Sequence, residues 1–191
     1  MNDLIIDGQK YQSFDVASNP LPLADYEACE FHFVNFNINT LLNFKFTECK
    51  FYSCQWNNII LDHVSIVNCE FIDCKLQGLN FHACNPFLFE ASFNQCKLNH
   101  SSFYNMNLKQ FVFSNCDLIH VDFTNTNLQK SKIEHCNLLD ATFENTNLEQ
   151  VDLSTSYNFS IDPDNNKIKK ATFSSNNVIG LLNKYDIKIV S

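Results

Sequence analysis

The amino-acid sequence predicts an all-β fold, a right-handed quadrilateral parallel β-helix that ends in a short C-terminal capping helix. Three observations support this fold. A large apolar residue recurs at every fifth position, a small or modest residue stands two positions before it, and the residues between are mostly polar. A period of five fits neither the 3.6-residue turn of an α-helix nor the two-residue repeat of a strand. A chain that turns a corner every five residues closes a square coil in about twenty, and successive coils stack as parallel strands ~4.8 Å apart.

The large apolar positions form two unbroken runs, and each is expected to point inward. The first run is Phe31, Phe36, Leu41, Phe46, Phe51, Trp56, Leu61, Ile66, Phe71, Leu76 and Phe81. The second run is Leu88, Phe93, Leu98, Phe103, Leu108, Phe113, Leu118, Phe123, Leu128, Ile133, Leu138, Phe143, Leu148 and Leu153. The interval between the runs is two residues longer than a repeat. It predicts a bulge within residues 82–90, after which the coil continues.

Cysteine occupies the small inward position in eight of nine cases. Cys29, Cys49 and Cys69 recur at intervals of twenty, and a second ladder consists of Cys54, Cys74, Cys96, Cys116 and Cys136. Cysteine at such positions acts as a small hydrophobic side chain. We therefore expect the thiols to be core, without disulfides.

The ends of the chain depart from the repeat. We expect an N-terminal cap segment over residues 1–23, the β-helix over 24–153, and a final irregular coil with a helix and a strand over 154–191. The repeat phase returns at Ile168, Phe173 and Val178. Apolar spacing predicts an amphipathic helix over 176–185, capped by Ser174 or Ser175. The helix should cover the open coil end together with a second copy of the chain. The expected dimer contacts are Val178, Leu181, Leu182, Tyr185, Ile187 and Ile189.

Catalytic and metal-binding patterns are missing from the sequence. All six histidines fall at outward or corner positions, and no four-ligand cluster with zinc spacing occurs. A nucleophilic triad would also need a pocket that a filled square coil lacks. We therefore expect no enzyme activity, no metal and no cofactor.

The charge argues against nucleic acid as a partner. The chain has 13 lysines and no arginine, and its formal net charge is −8, whereas phosphate binding needs clustered basic residues. A basic protein surface fits this charge better. The candidate partner-binding acids are Asp117, Asp122, Glu134, Glu144 and Asp152. The alternative is an ordinary solvated surface, because these acids are spread over several faces.

The bulge provides a second candidate contact. Phe87, Phe89 and Glu90 stand at positions that should point outward, and exposed aromatic side chains at the one irregularity of a rod suit partner binding. The alternative is that the two phenylalanines pack on each other over the kink. The chain has no signal-peptide pattern and no apolar run long enough to cross a membrane, so we expect a cytoplasmic protein.

Units such as Cys116-Asp117-Leu118, Val121-Asp122-Phe123 and Thr126-Asn127-Leu128 resemble the consensus of the pentapeptide-repeat family, over residues 24–178. The segment 159–163 (Phe-Ser-Ile-Asp-Pro), the ending 180–189 and the irregularity in mid-rod are similar to the quinolone-resistance (Qnr-type) and microcin-immunity group. That resemblance implies a C-terminal homodimer that mimics DNA. It also implies binding to a type II topoisomerase, DNA gyrase or topoisomerase IV, which it protects against quinolones or gyrase toxins. A two-residue insertion here replaces that group's projecting loop.

Two other functions remain open at this point. Many pentapeptide-repeat proteins would qualify as plain solenoid scaffolds with an unrelated partner. A self-immunity protein against a gyrase toxin made by the same host is the third possibility.

Overall fold

The structure is a computed structural model that describes residues 4–36 and 41–188. All strand pairs are parallel, as the predicted four-sided β-helix requires. The strands are β1 (Ile5–Asp7), β2 (Lys10–Gln12), β3 (Asp25–Glu27), β4 (Glu30–His32), β5 (Lys45–Thr47), β6 (Lys50–Tyr52), β7 (Ser65–Ile72), β8 (Phe89–Asn94), β9 (Val112–Ser114) and β10 (Lys132–Glu134). Short 3₁₀ turns lie at Phe81–Ala83, Val178–Leu181 and Asn183–Tyr185.

We number the four faces of the coil in chain order. Face 1 carries β1, β3, β5 and the start of β7, and face 2 carries β2, β4, β6, the end of β7, β9 and β10. Faces 3 and 4 are held by isolated parallel bridges. The bridged column on face 3 is Asp15, Asn35, Gln55, Lys75, Lys97, Asp117, Asn137 and Tyr157. The bridged column on face 4 is Asn80, Ser102, Asp122 and Thr142.

Stacked aromatic rings fill the coil. Phe31 and Phe51 stack at 4.9 Å between ring centroids, and the series continues along face 2 through Phe71 at 4.7 Å. On face 4, Phe103 and Phe123 stack at 5.5 Å, and both are fully buried. These contacts confirm the predicted register, because rings that share a face recur once per coil.

The corners of the regular coils are made by residues with positive φ at every fifth position, without a break from Asn43 to Gly78 and from Gln95 to Gln150. Asn105 and Asn125 have φ values of 56° and 58°, as expected for a side chain that tolerates the left-handed region. His100 also occupies a corner with φ 61°, and the Ser101 N–H donates across it to the Leu98 carbonyl at 3.1 Å. Positive φ at the third residue is what a type II turn requires.

All nine thiols are buried and free, and seven of them also donate a hydrogen bond to a carbonyl one coil earlier. The Cys54 Sγ donates to the Phe31 carbonyl at 3.2 Å, 23 residues earlier. Thr126 makes the same bond through its Oγ1, 2.7 Å from the Phe103 carbonyl. Where the small inward position holds Cys, Ser or Thr, the side chain can thus donate to a carbonyl of the preceding coil as well as fill a small space. Burial raises the pKa of the Cys84 thiol to about 12, so this ninth thiol is also a protonated core group.

The coil begins before the predicted boundary at residue 24. β1 pairs with β3, and the Tyr11 ring of β2 stacks on Phe31 at 4.8 Å. Residues 5–16 thus form part of a first coil, because Tyr11 and Val16 take inward positions one coil before Phe31 and Phe36.

The bulge corrects two predicted orientations. Leu88 was expected inward, but its side chain is 40% exposed. Phe89, expected outward, pairs with Ile66 in the sheet and packs its ring against Phe81 at 5.7 Å. The register shifts between Ile66 and Cys69, and this shift brings Phe89 rather than Leu88 toward the core.

The predicted helix over 176–185 is wrong, since the segment forms the two 3₁₀ turns instead. Gly180 is buried against the last coil, where its carbonyl accepts a hydrogen bond from the Ile161 N–H at 3.0 Å. The Asn177 amide donates to the Leu153 carbonyl at 2.9 Å. These contacts with the coil replace the bonds of a regular helix. Val178, predicted inward by phase, is 42% exposed, Ile187 lies outside any strand, and Ile189 lies outside the described residues.

Gly180→Ala should detach the C-terminal turns from the last coil. A Cβ at residue 180 would lie 2.4 Å from the Phe159 carbonyl oxygen and 2.6 Å from its ring, so the backbone must move. We expect a loss of about 1–3 kcal/mol in the free energy of unfolding, measured in urea, with faster proteolysis after Lys184. Gly8→Ala is the control for proteolysis: nothing lies within 4 Å of its Cβ position, so only its positive φ of 61° costs stability, and cleavage after Lys184 should not change. Unchanged proteolysis in Gly180→Ala would show that the turns do not depend on this contact.

Candidate protein-interaction surfaces

The structure distributes the five predicted acids over three faces. Asp122 and Glu144 lie on face 4, Asp117 on face 3, and Glu134 and Asp152 on face 2. On face 2 the two acids lie beside a lysine. The Lys132 Nζ is 4.0 Å from a Glu134 oxygen, and the Lys132 backbone pairs with that of Asp152 in a parallel β-bridge. The five acids thus do not form one surface. Among the described residues, only Asp122 and Glu144 on face 4 have no lysine from the coils close to them.

Face 4 is acidic because, over residues 4–36 and 41–188, none of its coil positions holds a lysine. The register puts the lysines of the coils on faces 1, 2 and 3: Lys10, Lys45, Lys50, Lys75, Lys97, Lys109, Lys130, Lys132, Lys167, Lys169 and Lys170. The acids of face 4 are Asp62, Asp122, Glu144, Asp162 and Asp164. Sequence reasoning did not select Asp162 and Asp164, although they stand twenty residues after Thr142 and Glu144. Asp122, Glu144, Asp162 and Asp164 are called the acidic patch below.

Lys184 is the one cation seated at the acidic patch within residues 4–36 and 41–188. Its Nζ is 2.6 Å from an Asp162 oxygen and also pairs with Asp164. The hydrogen bond from Lys184 lowers the pKa of Asp162, and the two carboxylates raise the pKa of Lys184. Asp122 is held differently, by the Thr124 N–H at 2.8 Å from its Oδ1. The patch therefore accommodates an ammonium group, which pairs with two of its carboxylates.

The bulge presents one of its two phenylalanines. Phe87 is 94% exposed, on a turn in which its N–H donates to the Asn85 Oδ1 at 3.2 Å. Glu90 is exposed as well, whereas Phe89 is half-buried and cannot serve as a protruding contact. The alternative in which the two phenylalanines pack on each other does not occur, because Phe89 packs on Phe81 and Phe111.

The C-terminal turns expose apolar side chains. Val178 and Tyr185 are 42% and 57% exposed, whereas Leu181 and Leu182 are partly buried. Clefts on either side of Ile179 connect it with further exposed apolar residues of the last coils and the C-terminus. We call the set Leu139, Tyr157, Ile179 and Ile187 the C-terminal apolar patch.

The histidines do not build a metal site in the described part of the chain. His100 and His120 stack with ring centroids 4.9 Å apart, and an Asp140 oxygen is 3.8 Å from the His120 Nε2. No group of three or more His, Cys, Asp or Glu residues among residues 4–36 and 41–188 could hold a metal ion. Over the same ranges, none of the helical segments has the length and apolar character needed to cross a membrane.

Comparison with known proteins agrees with this geometry. Residues 87–153 match the family model described as a pentapeptide repeat region. No curated protein sequence matches the chain. Two trypsin-treated variants of QnrB1, a plasmid-mediated fluoroquinolone resistance protein, superpose with TM-scores of 0.63 and 0.64, at 15% identity and over 98% of both chains. HetL, a pentapeptide repeat protein involved in heterocyst differentiation regulation in Nostoc sp. strain PCC 7120, gives a TM-score of 0.54 at 13% identity, over 90% of this chain and 85% of HetL. The chain therefore contains a pentapeptide repeat region and has the fold of the pentapeptide-repeat proteins.

Proposed function

We propose that this protein is a non-enzymatic DNA mimic that binds a type II topoisomerase in the cytoplasm and protects it against quinolones or gyrase toxins. The observation that carries the proposal is the acidic patch. In the described part of the chain, no coil places a lysine on face 4 beside these acids. A basic surface that normally holds phosphates is attracted to such a face. Because the other three faces mix lysines with acids, face 4 is the side we assign to the enzyme.

The density of charge on face 4 matches that of a DNA strand. Asp122, Glu144 and the pair Asp162 and Asp164 lie on three successive coils, which span about 10 Å at ~4.8 Å per coil. Four carboxylates less the ammonium of Lys184 leave three negative charges over this distance. One charge per ~3 Å is close to the ~3.4 Å spacing of phosphates along one strand.

The choice of topoisomerase comes from the resemblance to the quinolone-resistance and microcin-immunity group. The fold shared with QnrB1 supports that resemblance. Because the bulge here is short where the long-looped members of that group carry a projecting loop, we assign the principal contact to face 4. The exposed Phe87 also favours the alternative of a general interaction scaffold, which would use an apolar contact without the acids.

A supercoiling assay tests the proposed function. Purified protein is added to DNA gyrase and to topoisomerase IV, with and without a quinolone, and direct binding is measured in parallel. We expect binding that weakens as salt rises, together with inhibition of supercoiling or relief of the drug effect. A protein that binds neither enzyme would reject the topoisomerase and favour the scaffold.

We further propose that the protein forms a homodimer through the C-terminal apolar patch, about a two-fold axis. Ile179→Asp with Ile187→Asp should give a monomer, because both side chains are about half exposed in the single chain and would be buried in the dimer. Deletion of residues 176–191 should do the same or cause aggregation through the bared coil. Light scattering at tens of micromolar, a rough range for a stable dimer, measures the outcome.

The control for the dimer is Phe33→Asp, at a 60% exposed corner far from the C-terminus. It should remain dimeric. If the unaltered protein is monomeric at this concentration, the C-terminal turns cap only their own coil.

A further inference from the structure

A groove of about 800 Å³ lies along the corner between faces 4 and 1, in the N-terminal half of the rod. One wall is the column in which Ile5, Asp25, Lys45 and Ser65 are paired in successive strands. The other wall follows the corner from Leu23 through Asn43 and His63. The groove therefore runs along the rod axis, outside the acidic patch.

The two ends of this corner groove are apolar and its middle is polar. Ile5 and Leu23 are 60% and 50% exposed at the N-terminal end, and Leu88 is 40% exposed at the other end, next to Phe87. The Leu88 carbonyl accepts the Ile66 N–H at 2.9 Å, which places Leu88 one coil beyond Ser65. Four coil spacings of ~4.8 Å separate the apolar ends by about 19 Å.

Between its apolar ends the groove carries a negative balance. The Lys45 Nζ pairs with an Asp25 oxygen at 3.1 Å, which neutralises one carboxylate. Glu27 is a second carboxylate in the lining, so two acids stand against one lysine among the described residues of the groove. A ligand with a single positive charge near its centre complements this lining.

We propose that the corner groove binds an extended segment of a partner protein that has an apolar side chain at each end and a Lys or Arg between them. An extended chain rises ~3.3 Å per residue, so about six residues span the two ends. The apolar ends bury the exposed faces of Ile5 and Leu88, and the basic side chain meets Glu27. This goes beyond the proposed function, because its test involves no topoisomerase.

The test is fluorescence anisotropy with a labelled peptide, acetyl-Leu-Thr-Ser-Arg-Ser-Thr-Leu-amide, whose terminal leucines stand about 20 Å apart when extended. We expect saturable binding to the full chain. Ile5→Ser combined with Leu88→Ser should weaken it at least tenfold. Glu27→Gln should weaken it about threefold, and this effect should be seen only at low salt. Phe33→Ser, which also removes an exposed apolar side chain, should bind as the unaltered protein does.

Two peptide controls address specificity: serine in place of both leucines, and glutamate in place of arginine. Each should bind at least fivefold more weakly. Absence of saturable binding, or equal binding by the double variant and Phe33→Ser, would overturn the proposal. So would a fall in molecular mass of the double variant in light scattering, since the groove would then be a contact between copies.

Discussion

Phe123→Ala is expected to lower the free energy of unfolding by roughly 3–5 kcal/mol, the largest effect of a single side chain that we predict. Phe123 is fully buried, with Phe103 and Phe143 stacked on either side at 5.5 and 5.3 Å. Phe113 approaches its ring edge-on at 6.0 Å. The cavity left by alanine cannot collapse easily, because the neighbouring coils are fixed by backbone hydrogen bonds on both sides of residue 123.

Urea denaturation followed by circular dichroism measures this loss. Phe87→Ala is a matched control, because it removes the same ring from a site that is 94% exposed, and it should change stability by less than about 0.5 kcal/mol. A loss below about 1 kcal/mol for Phe123→Ala would mean that the ring is outside the stacked core. An intermediate in which only the C-terminal coils unfold would fit the nearest-neighbour character of a solenoid.

The fold could be predicted from the sequence because each coil repeats the same requirement. An inward position contacts the same position twenty residues away, so Phe103 and Phe123 specify each other without help from local propensity. The bulge could not be predicted in detail, since residues 87–89 are all apolar and any of them could fill the core. The shift of register between Ile66 and Cys69 brings Phe89, and not Phe87 or Leu88, toward the core.

The C-terminal segment shows a second limit of periodicity. Val178, Leu181, Leu182 and Tyr185 have helical spacing, but spacing does not report that Gly180 must approach Phe159 closely. A contact with the coil thus overrides the helical pattern. The donors at the small position were missed for a related reason: Cys, Ser and Thr are alike in size, and their bond to a carbonyl 23 residues earlier is visible only in three dimensions.

The acidic patch could have been found by arranging the sequence in rows of twenty. The acids are dense along residues 110–166, but neighbours in the sequence lie on different faces, so the five candidates fall on three faces. In such rows Asp122 stands above Thr142, and Glu144 stands above Asp164. No lysine of the described coils falls in the columns that form face 4. Lys184 could not be placed this way, because it lies after the regular repeat.

Reversing charge on face 4 is expected to abolish topoisomerase binding, the largest functional effect that we predict. The variant is Asp122→Lys with Glu144→Lys, which adds four positive charge units where the partner is expected to be basic. Both side chains point outward, so the fold should persist. Binding to DNA gyrase and to topoisomerase IV, each at two salt concentrations, and protection in the supercoiling assay are the measurements.

The matched control is Glu134→Lys with Asp152→Lys on face 2, which changes the net charge by the same amount. If attraction by overall charge alone drives binding, both pairs will weaken it equally, and the salt dependence will fall in both. If face 4 replaces DNA, the face 2 pair will retain most of the binding. Reversing the charge of all five acids, these four together with Asp117, should give the largest loss of binding, because it removes both the overall negative charge and the acids of face 4. Unchanged binding or protection in the five-fold variant would reject DNA mimicry, even if Phe87 and the corner groove still held the enzyme.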